Sequence, residues 1–482
     1  MFIARRRFMA RTRNAANAVD VVIVGSGFAG LAAAIESGEK ASSVLILEKM
    51  REFGGNSIMN AGQVAAVHTQ HQQKAGIDDS PELMIGDMLR AGRNLNHRHL
   101  LEKLVAESNA TAEWLTESLG VEFRERLTHM GGHSVPRTLC TLNTTGRDII
   151  DPMLRKIAAM PNVELRADSP VDALVISPEG RVAGVRLASG GIIPARRGVV
   201  MAAGGFGADV AFRKIHRPEY DENVMSTNHA GATSETLRSV LKLGASAVHL
   251  HEIQLGPWTS PDEAGFGRVP MFCIGAGFPY GVLVDPETGT RFVNEMGNRD
   301  ERSQAILGRG HPAVLVADAV GAQHSLDKDL ASLAPAVRAF DNLDALADAY
   351  NMDITMLRDT IDEYNRGVAK RDDRFGKALR DDVAPIAQAP FYASRVWPKV
   401  HHSCGGVHIN TEAQVMHVDG FAIPGLYAAG EFVGGIHGAD RLGSCATTDC
   451  LVFGRVAGRN AAAESLLKLD DCFGRRYHEH AA

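Results

Sequence analysis

Most of the signatures that mark specialised chemistry are missing from this chain. Its six cysteines (Cys140, Cys273, Cys404, Cys445, Cys450 and Cys472) are scattered, with no C-x-x-C pair among them. That excludes a zinc ribbon, a thioredoxin-like site and a c-type haem attachment, and it fits a reducing compartment. No uninterrupted apolar run reaches the roughly 18 residues of a membrane-spanning helix. Basic and acidic residues nearly balance, 51 against 57 for a net charge of −6, without a basic stripe or a block of like charge. Neither nucleic acid nor a membrane surface is therefore an expected partner, and no metal site is expected. What the chain does have is glycine, 49 in 482 residues, within a composition that is 45% apolar. A soluble α/β protein of this length is expected to split into two domains.

Residues 1–13 (MFIARRRFMARTR) open like a twin-arginine export signal, but Arg11, Arg13, Asn14 and Asn17 stand where its apolar segment belongs. Residues 1–18 are expected to be a disordered basic leader, with cytoplasmic residence preferred and periplasmic export as the alternative. Next, 21–24, 27–37 and 44–48 form a strand, a small-residue helix and a strand, the start of a parallel sheet buried on both faces. Helical spacing recurs over 100–119 and 149–159. The short alternating runs 163–166, 171–177 and 181–188 point to an antiparallel meander, and 198–203 is again a continuous apolar strand. From about 251 to 398 the chain turns to Pro and Gly turns and polar helices such as 352–370, and after His401 the glycine-rich style returns, with a strand at 425–429 and a long helix over 446–468. The expected division is an α/β domain made of 19–250 and 400–482, interrupted by an α+β capping domain at 251–399.

Gly25-Ser26-Gly27-Phe28-Ala29-Gly30 follows the first strand and opens the helix, and Glu48 ends the next strand 23 residues after Gly25. Gly25 permits the tight turn, Gly27 lets backbone approach a pyrophosphate, and Gly30 lets helix and strand pack closely. The helix N-terminus favours phosphate charge, and the Glu48 carboxylate suits a ribose diol. Lys49 leads into a second glycine turn, Gly54-Gly55-Asn56-Ser57. No second dinucleotide fingerprint is found, so FAD, held non-covalently, is the expected cofactor. Further on, Gly430-Glu431 ends a strand, Gly434 to Gly443 form a flexible loop, and a helix starts near Ala446, where its positive end suits the flavin locus that gains negative charge on reduction.

The stretches GSGFAG, EKM with GGNS, AAGGFGAD (202–209), STNHAGAT (226–233), RFVNEMGNRD (291–300) and HHSCGG through RLGSCATTDCLVFGR strongly resemble the soluble fumarate reductase flavoproteins of the flavocytochrome c type, relatives of urocanate reductase and 3-ketosteroid dehydrogenase. The resemblance implies a glutathione-reductase-type Rossmann FAD domain with an inserted cap. It extends the expected cradle to Asn60, Ala61, Gly62, Ala203, Gly204, Gly205, Glu431, Ala446 and Thr447. It also implies hydride exchange between flavin N5 and one carbon of an activated C=C bond, with an arginine protonating the other. Arg299 matches that arginine; without the resemblance an ion pair with Asp300 or Glu301 would be the preferred account of it, and with the resemblance the acid role is preferred. The residues implied to bind the substrate carboxylate are His402, with His401 beside it, and Arg441, whose fork matches a carboxylate in bidentate geometry.

Two departures bear on the substrate. Where fumarate reductases carry a histidine before Pro-Thr for a second carboxylate, this chain reads Gln254-Leu255-Gly256-Pro257-Trp258. Where they carry a Glu and an Arg as a proton relay, residues 271–281 hold neither. Trp258, Phe272, Phe278 and Tyr280 instead suggest an apolar lining. The expected activity is reduction of an α,β-unsaturated carboxylate other than fumarate, using a separate electron donor or acceptor. The alternatives are desaturation of an acid or a ketosteroid-like compound, with Tyr280 or His133 as base, or an FAD-binding protein with a degenerate site.

Overall fold

Short apolar runs set out a parallel sheet in the first of two units. In the computed structural model, which describes residues 18–468, the order is Val163–Arg166, Val44–Leu47, Val19–Val24, Ile192–Met201 and Ala422–Ala428, all parallel, with Gln414–Met416 antiparallel at the edge. Ile23 stands opposite Ile46 on one side and Val200 on the other, and Val21, Val22 and Ile23 are fully buried. A central strand covered on both faces needs this continuous apolar run. The leader expected over 1–18 lies, but for its last residue, outside the described residues, as does Cys472.

One strand differs from the sequence expectation. Val163–Arg166 joins the parallel sheet, and the antiparallel meander consists of Val171–Ile176, Val182–Leu187 and Ile192–Met201. The helix Arg147–Ala158 precedes Val163–Arg166, which makes it the return strand of a crossover, and alternation over four residues cannot reveal that.

The small-residue helix Phe28–Gly38 packs against the long helix Cys445–Ala463, and glycines let the two backbones approach. A Cβ at Gly454 would lie 2.5 Å from the Ala29 carbonyl oxygen, and one at Gly458 would lie 2.3 Å from that of Ala33. Ser37 Oγ donates to the Gly458 carbonyl at 3.0 Å, and Arg455 Nε meets Glu36 at 2.5 Å.

The chain divides into two compact units: residues up to Phe212, Ala230–Glu252 and from Ser403 onward, and Arg213–His229 with Ile253–His402. Sequence order alone placed 213–229 with the first domain. In the second unit, however, buried Arg213 donates to the carbonyls of Tyr220 and Asp221, at 2.8 and 2.6 Å, and of Val224, while the Thr227 amide donates to Val400 O at 2.9 Å. The second unit is built on a five-stranded antiparallel sheet, Thr290–Arg291, Val282–Asp285, Ala313–Ala317, Phe391–Val396 and Arg338–Phe340. Period-two alternation serves two cores: Leu283 and Leu315 join one apolar cluster, and Val282, Val284, Val314 and Val316 the other, beneath the helices Leu343–Tyr350 and Ile354–Lys370. Among the described residues no helix is long and apolar enough to cross a membrane.

Gly458→Val forces the two helices of the first unit apart. It is expected to cost about 1–3 kcal/mol in urea unfolding and to lower bound flavin, because the same crossing positions the start of the C-terminal helix.

Candidate active site

The phosphate loop is shaped by what its glycines leave out. Gly25 takes φ +105°, and a Cβ there would lie 2.2 Å from Ala202 O; a Cβ at Gly30 would lie 2.0 Å from Gly25 O. Gly27 precedes the helix and contributes no side-chain cap, so the Phe28 amide donates to Ser57 Oγ at 3.0 Å, while Ala29 packs into the helix crossing. Glu48 Oε2 accepts from Ser26 N at 3.1 Å and Ser26 Oγ at 2.6 Å, and its Oε1 accepts from Met50 N at 2.9 Å. Ser26 Oγ in turn accepts from Gly54 N at 3.0 Å, which ties the first glycine loop to the second. Gly54 and Gly55 are both left-handed, at φ +111° and +51°. Asn60 Oδ1 accepts from Gly62 N at 2.7 Å across Ala61, and Lys49 Nζ bonds Thr233 Oγ1 at 2.5 Å. Ser26 is a residue that sequence reasoning missed; a small polar residue between the glycines was its only signal.

The C-terminal side of the unit carries the charged groups. A Cβ at Gly205 would meet Glu431 Oε1 at 2.3 Å, so that glycine makes room for the carboxylate. Gly204, beyond Ala203, has φ +78° and open space where a Cβ would project. Glu431 keeps some accessible surface but is enclosed deeply enough that desolvation pushes its carboxyl up to about 7, against hydrogen bonds from Ser403 and Asn56 that favour the charged form. Ser403 N and Oγ donate to Glu431 Oε1 at 2.9 and 3.1 Å. Arg441 is buried, and its Nη1 donates to Leu442 O at 3.3 Å. Ser444, left-handed at φ +61°, then leads into the helix Cys445–Ala463, whose first turn holds Ala446 and Thr447.

That loop is pinned from beneath. Arg137, fully buried, bonds Asp79 at 2.9 and 2.8 Å and Asp87 at 2.5 Å, and its Nη1 meets His133 Nδ1 at 3.0 Å. With Nδ1 accepting, His133 donates from Nε2 to Gly443 O at 2.8 Å. Burial lowers this imidazole to about 4. Both ring nitrogens are thus engaged in holding the loop that carries Arg441, so the expectation of His133 as a base is not met.

In the second unit, Arg299 stands in the first turn of the helix Arg299–Leu307, capped by Asn298. Its Nη1 donates to Gln254 Oε1 at 2.6 Å, and its guanidinium lies 4.6 Å over the Trp258 ring. Trp258 also meets His401 edge-on at 5.4 Å, and His401 Nδ1 is 2.9 Å from Thr227 Oγ1. His401 and His402 are consecutive in the strand Lys399–Ser403, so their side chains leave opposite faces: His401 goes to the Trp258 group, while His402 is buried on the other side. Phe278 packs in the apolar cluster that contains Trp258 and Phe272, with Arg302 over its ring at 4.7 Å. Tyr280 turns elsewhere, donating to Asp382 at 2.9 Å and stacking on His324 at 3.9 Å. Gln254 and Thr227 are further partners missed at the sequence level, although both lie inside motifs quoted there.

An FAD fits the first unit. Thr447 Oγ1 is buried without a hydrogen-bond partner at a helix start whose N-cap offers no side-chain bond, and a polar cofactor edge would satisfy it. A family model described as an FAD binding domain matches residues 20–447. The chain belongs to that family. It is 41% identical over 462 residues to the acrylate reductase flavoprotein subunit of Shewanella woodyi (strain ATCC 51908 / MS32), covering 92% of this chain and 90% of the relative. It is 34% identical to the urocanate reductase of Eggerthella lenta, covering 92% and 75%. The open conformation of a flavocytochrome c3 fumarate reductase matches with a TM-score of 0.79 at 32% identity, over 93% of this chain and 78% of that one. The expected fumarate-reductase-type family and α/β FAD fold are therefore found, and the chain is an FAD-dependent oxidoreductase acting on the C=C or CH–CH bond of a carboxylic acid.

Because the fold favours protonated Glu431, its contribution to stability is complete below the ordinary carboxylate range and is lost as pH rises through about 7. Urea unfolding of flavin-free protein is expected to show stability falling as pH rises from the ordinary carboxylate value of 4.5 to about 7, and Glu431→Gln should flatten the slope.

Proposed function

We propose that the protein reduces the double bond of a small α,β-unsaturated monocarboxylate, of the kind named for its acrylate-reducing relative, and that fumarate is a poor substrate. One observation carries this reading. Gly256 stands before Pro257 where a histidine for a second carboxylate is expected, and Trp258, two residues on, lies under Arg299 at 4.6 Å and edge-on to His401 at 5.4 Å. An indole face there offers nothing to a second carboxylate and suits an apolar substituent.

Bound FAD supplies hydride transfer to one carbon of the double bond. The chain's own residues bind, orient and protonate. Glu48, the loop from Gly25 to Gly30, Glu431 and Thr447 hold the cofactor by hydrogen bonds and backbone amides, without a covalent link. Arg441 and His402 take the substrate carboxylate, leaving the β-carbon as the electrophilic position. Arg299 gives a proton to the other carbon; Gln254 fixes the guanidinium plane, and the Trp258 face stabilises the charged, proton-loaded form between turnovers. Reducing equivalents come from a separate donor. The unpaired thiols of the described cysteines and the charge-interrupted leader support cytoplasmic residence, with export through the twin-arginine-like start as the alternative.

Dithionite-reduced holoenzyme should be reoxidised by acrylate and substituted acrylates at least about tenfold faster than by fumarate; a faster reaction with fumarate would overturn the Trp258 argument. Arg299→Lys should keep FAD yet lose turnover by about 10²–10⁴-fold, and undiminished turnover would remove Arg299 from the acid role. Acid precipitation should leave all flavin in the supernatant; flavin in the pellet would mean a covalent link.

A further inference from the structure

Away from the flavin cradle, histidines from distant stretches of the chain gather in the first unit. His97 caps the helix Arg98–Glu113 and His99 lies in its first turn, while His408 follows the strand Gly406–Val407. One ligand atom from each of the three lies within 4.8 Å of the others. The His97 and His408 rings meet at 80° with centroids 4.9 Å apart, and those of His97 and His99 are 5.8 Å apart at 23°. His249 stands edge-on to His97 at 6.0 Å.

Simple packing does not account for this group. His97 Nδ1 and His249 Nδ1 are both buried without a hydrogen-bond partner, an uncompensated cost for each ring nitrogen. Neutral rings with free lone pairs are the form in which imidazole binds metal.

We propose that His97, His99 and His408 form a binding site for one divalent transition-metal ion of the zinc, cobalt, nickel and copper class, with solvent completing the coordination. Three imidazoles suit these ions and not magnesium or calcium. Tetrahedral coordination at about 2.0–2.1 Å brings ligand nitrogens to about 3.3 Å from one another, and rotation of His99, which is exposed, closes the present separation. The ion would fasten together two segments that are each already bonded to other parts of the first unit. The His97 amide donates to Gly435 O at 2.6 Å and Asn96 Nδ2 to Ile436 O at 2.8 Å, just before Arg441, and the His408 amide donates to Ser246 O at 2.8 Å. The role assigned is bracing of the first unit, independent of which enoate is reduced.

The test uses untagged, full-length, FAD-loaded protein stripped with a chelator. Zn2+ titrated against a chromophoric competitor should bind with one tight equivalent, Co2+ should give the intense visible bands of a low-coordinate imidazole site, and Zn2+ should raise the unfolding midpoint. His99→Ala, at an exposed position, should retain the flavin spectrum and weaken Zn2+ binding at least tenfold. His408→Ala should abolish the Co2+ bands, and if it fails to hold flavin, His99→Ala with His99→Gln decides alone. Absence of a tight equivalent in the parent protein overturns the proposal, as does unchanged affinity and stoichiometry in the His99 variants, which would place the metal on other surface histidines.

Discussion

The close crossing of the helices Phe28–Gly38 and Cys445–Ala463 is the constraint on which the rest of the first unit depends. Gly454 and Gly458 replace side chains with direct contact against the Ala29 and Ala33 carbonyls. The helix that opens at the phosphate loop and the helix that follows Arg441 are thereby locked to each other, though more than 400 residues separate them. A pyrophosphate-binding turn and the Arg441 loop can then be held at fixed separation by this packing.

On that frame the polar groups are arranged so that few of them act alone. Glu48 is oriented by Ser26, which also accepts from the second glycine turn. Glu431 is oriented by Ser403 and given space by Gly205. The carbonyl before Ser444 is held by His133, itself fixed by Arg137 between Asp79 and Asp87. A buried arginine between two carboxylates contributes little net stability compared with apolar packing, but it restricts one imidazole to one tautomer and so fixes where the Arg441 loop can sit. The same logic recurs in the second unit, where Gln254 and Trp258 hold Arg299.

Much of this was legible in the sequence because it rests on local rules. The βαβ opening, the glycine loop and the alternating strands within 171–177 and 181–188 follow from period and turn chemistry within a dozen residues. What was not legible depends on contacts across hundreds of residues. Four residues of alternation in Val163–Arg166 could not say which neighbour they pair with. The His133 ring looked like a free base until Arg137 and Gly443 were found on its two nitrogens, and Tyr280 looked like lining until Asp382 and His324 claimed it. His97 and His99 are two apart in sequence, but His408 is 309 residues beyond His99, so no spacing pattern could have joined them.

The strand that carries His401 and His402 has a consequence of its own. Pleating assigns adjacent positions to opposite faces, so this dipeptide is two independent instruments rather than a doubled one: the first answers to Trp258 and Thr227, the second to its own buried side. Inserting or deleting one residue upstream in that strand would leave the composition almost untouched yet exchange the two imidazoles between environments. Drift at this locus is therefore confined to substitutions, because a change of length swaps the parts.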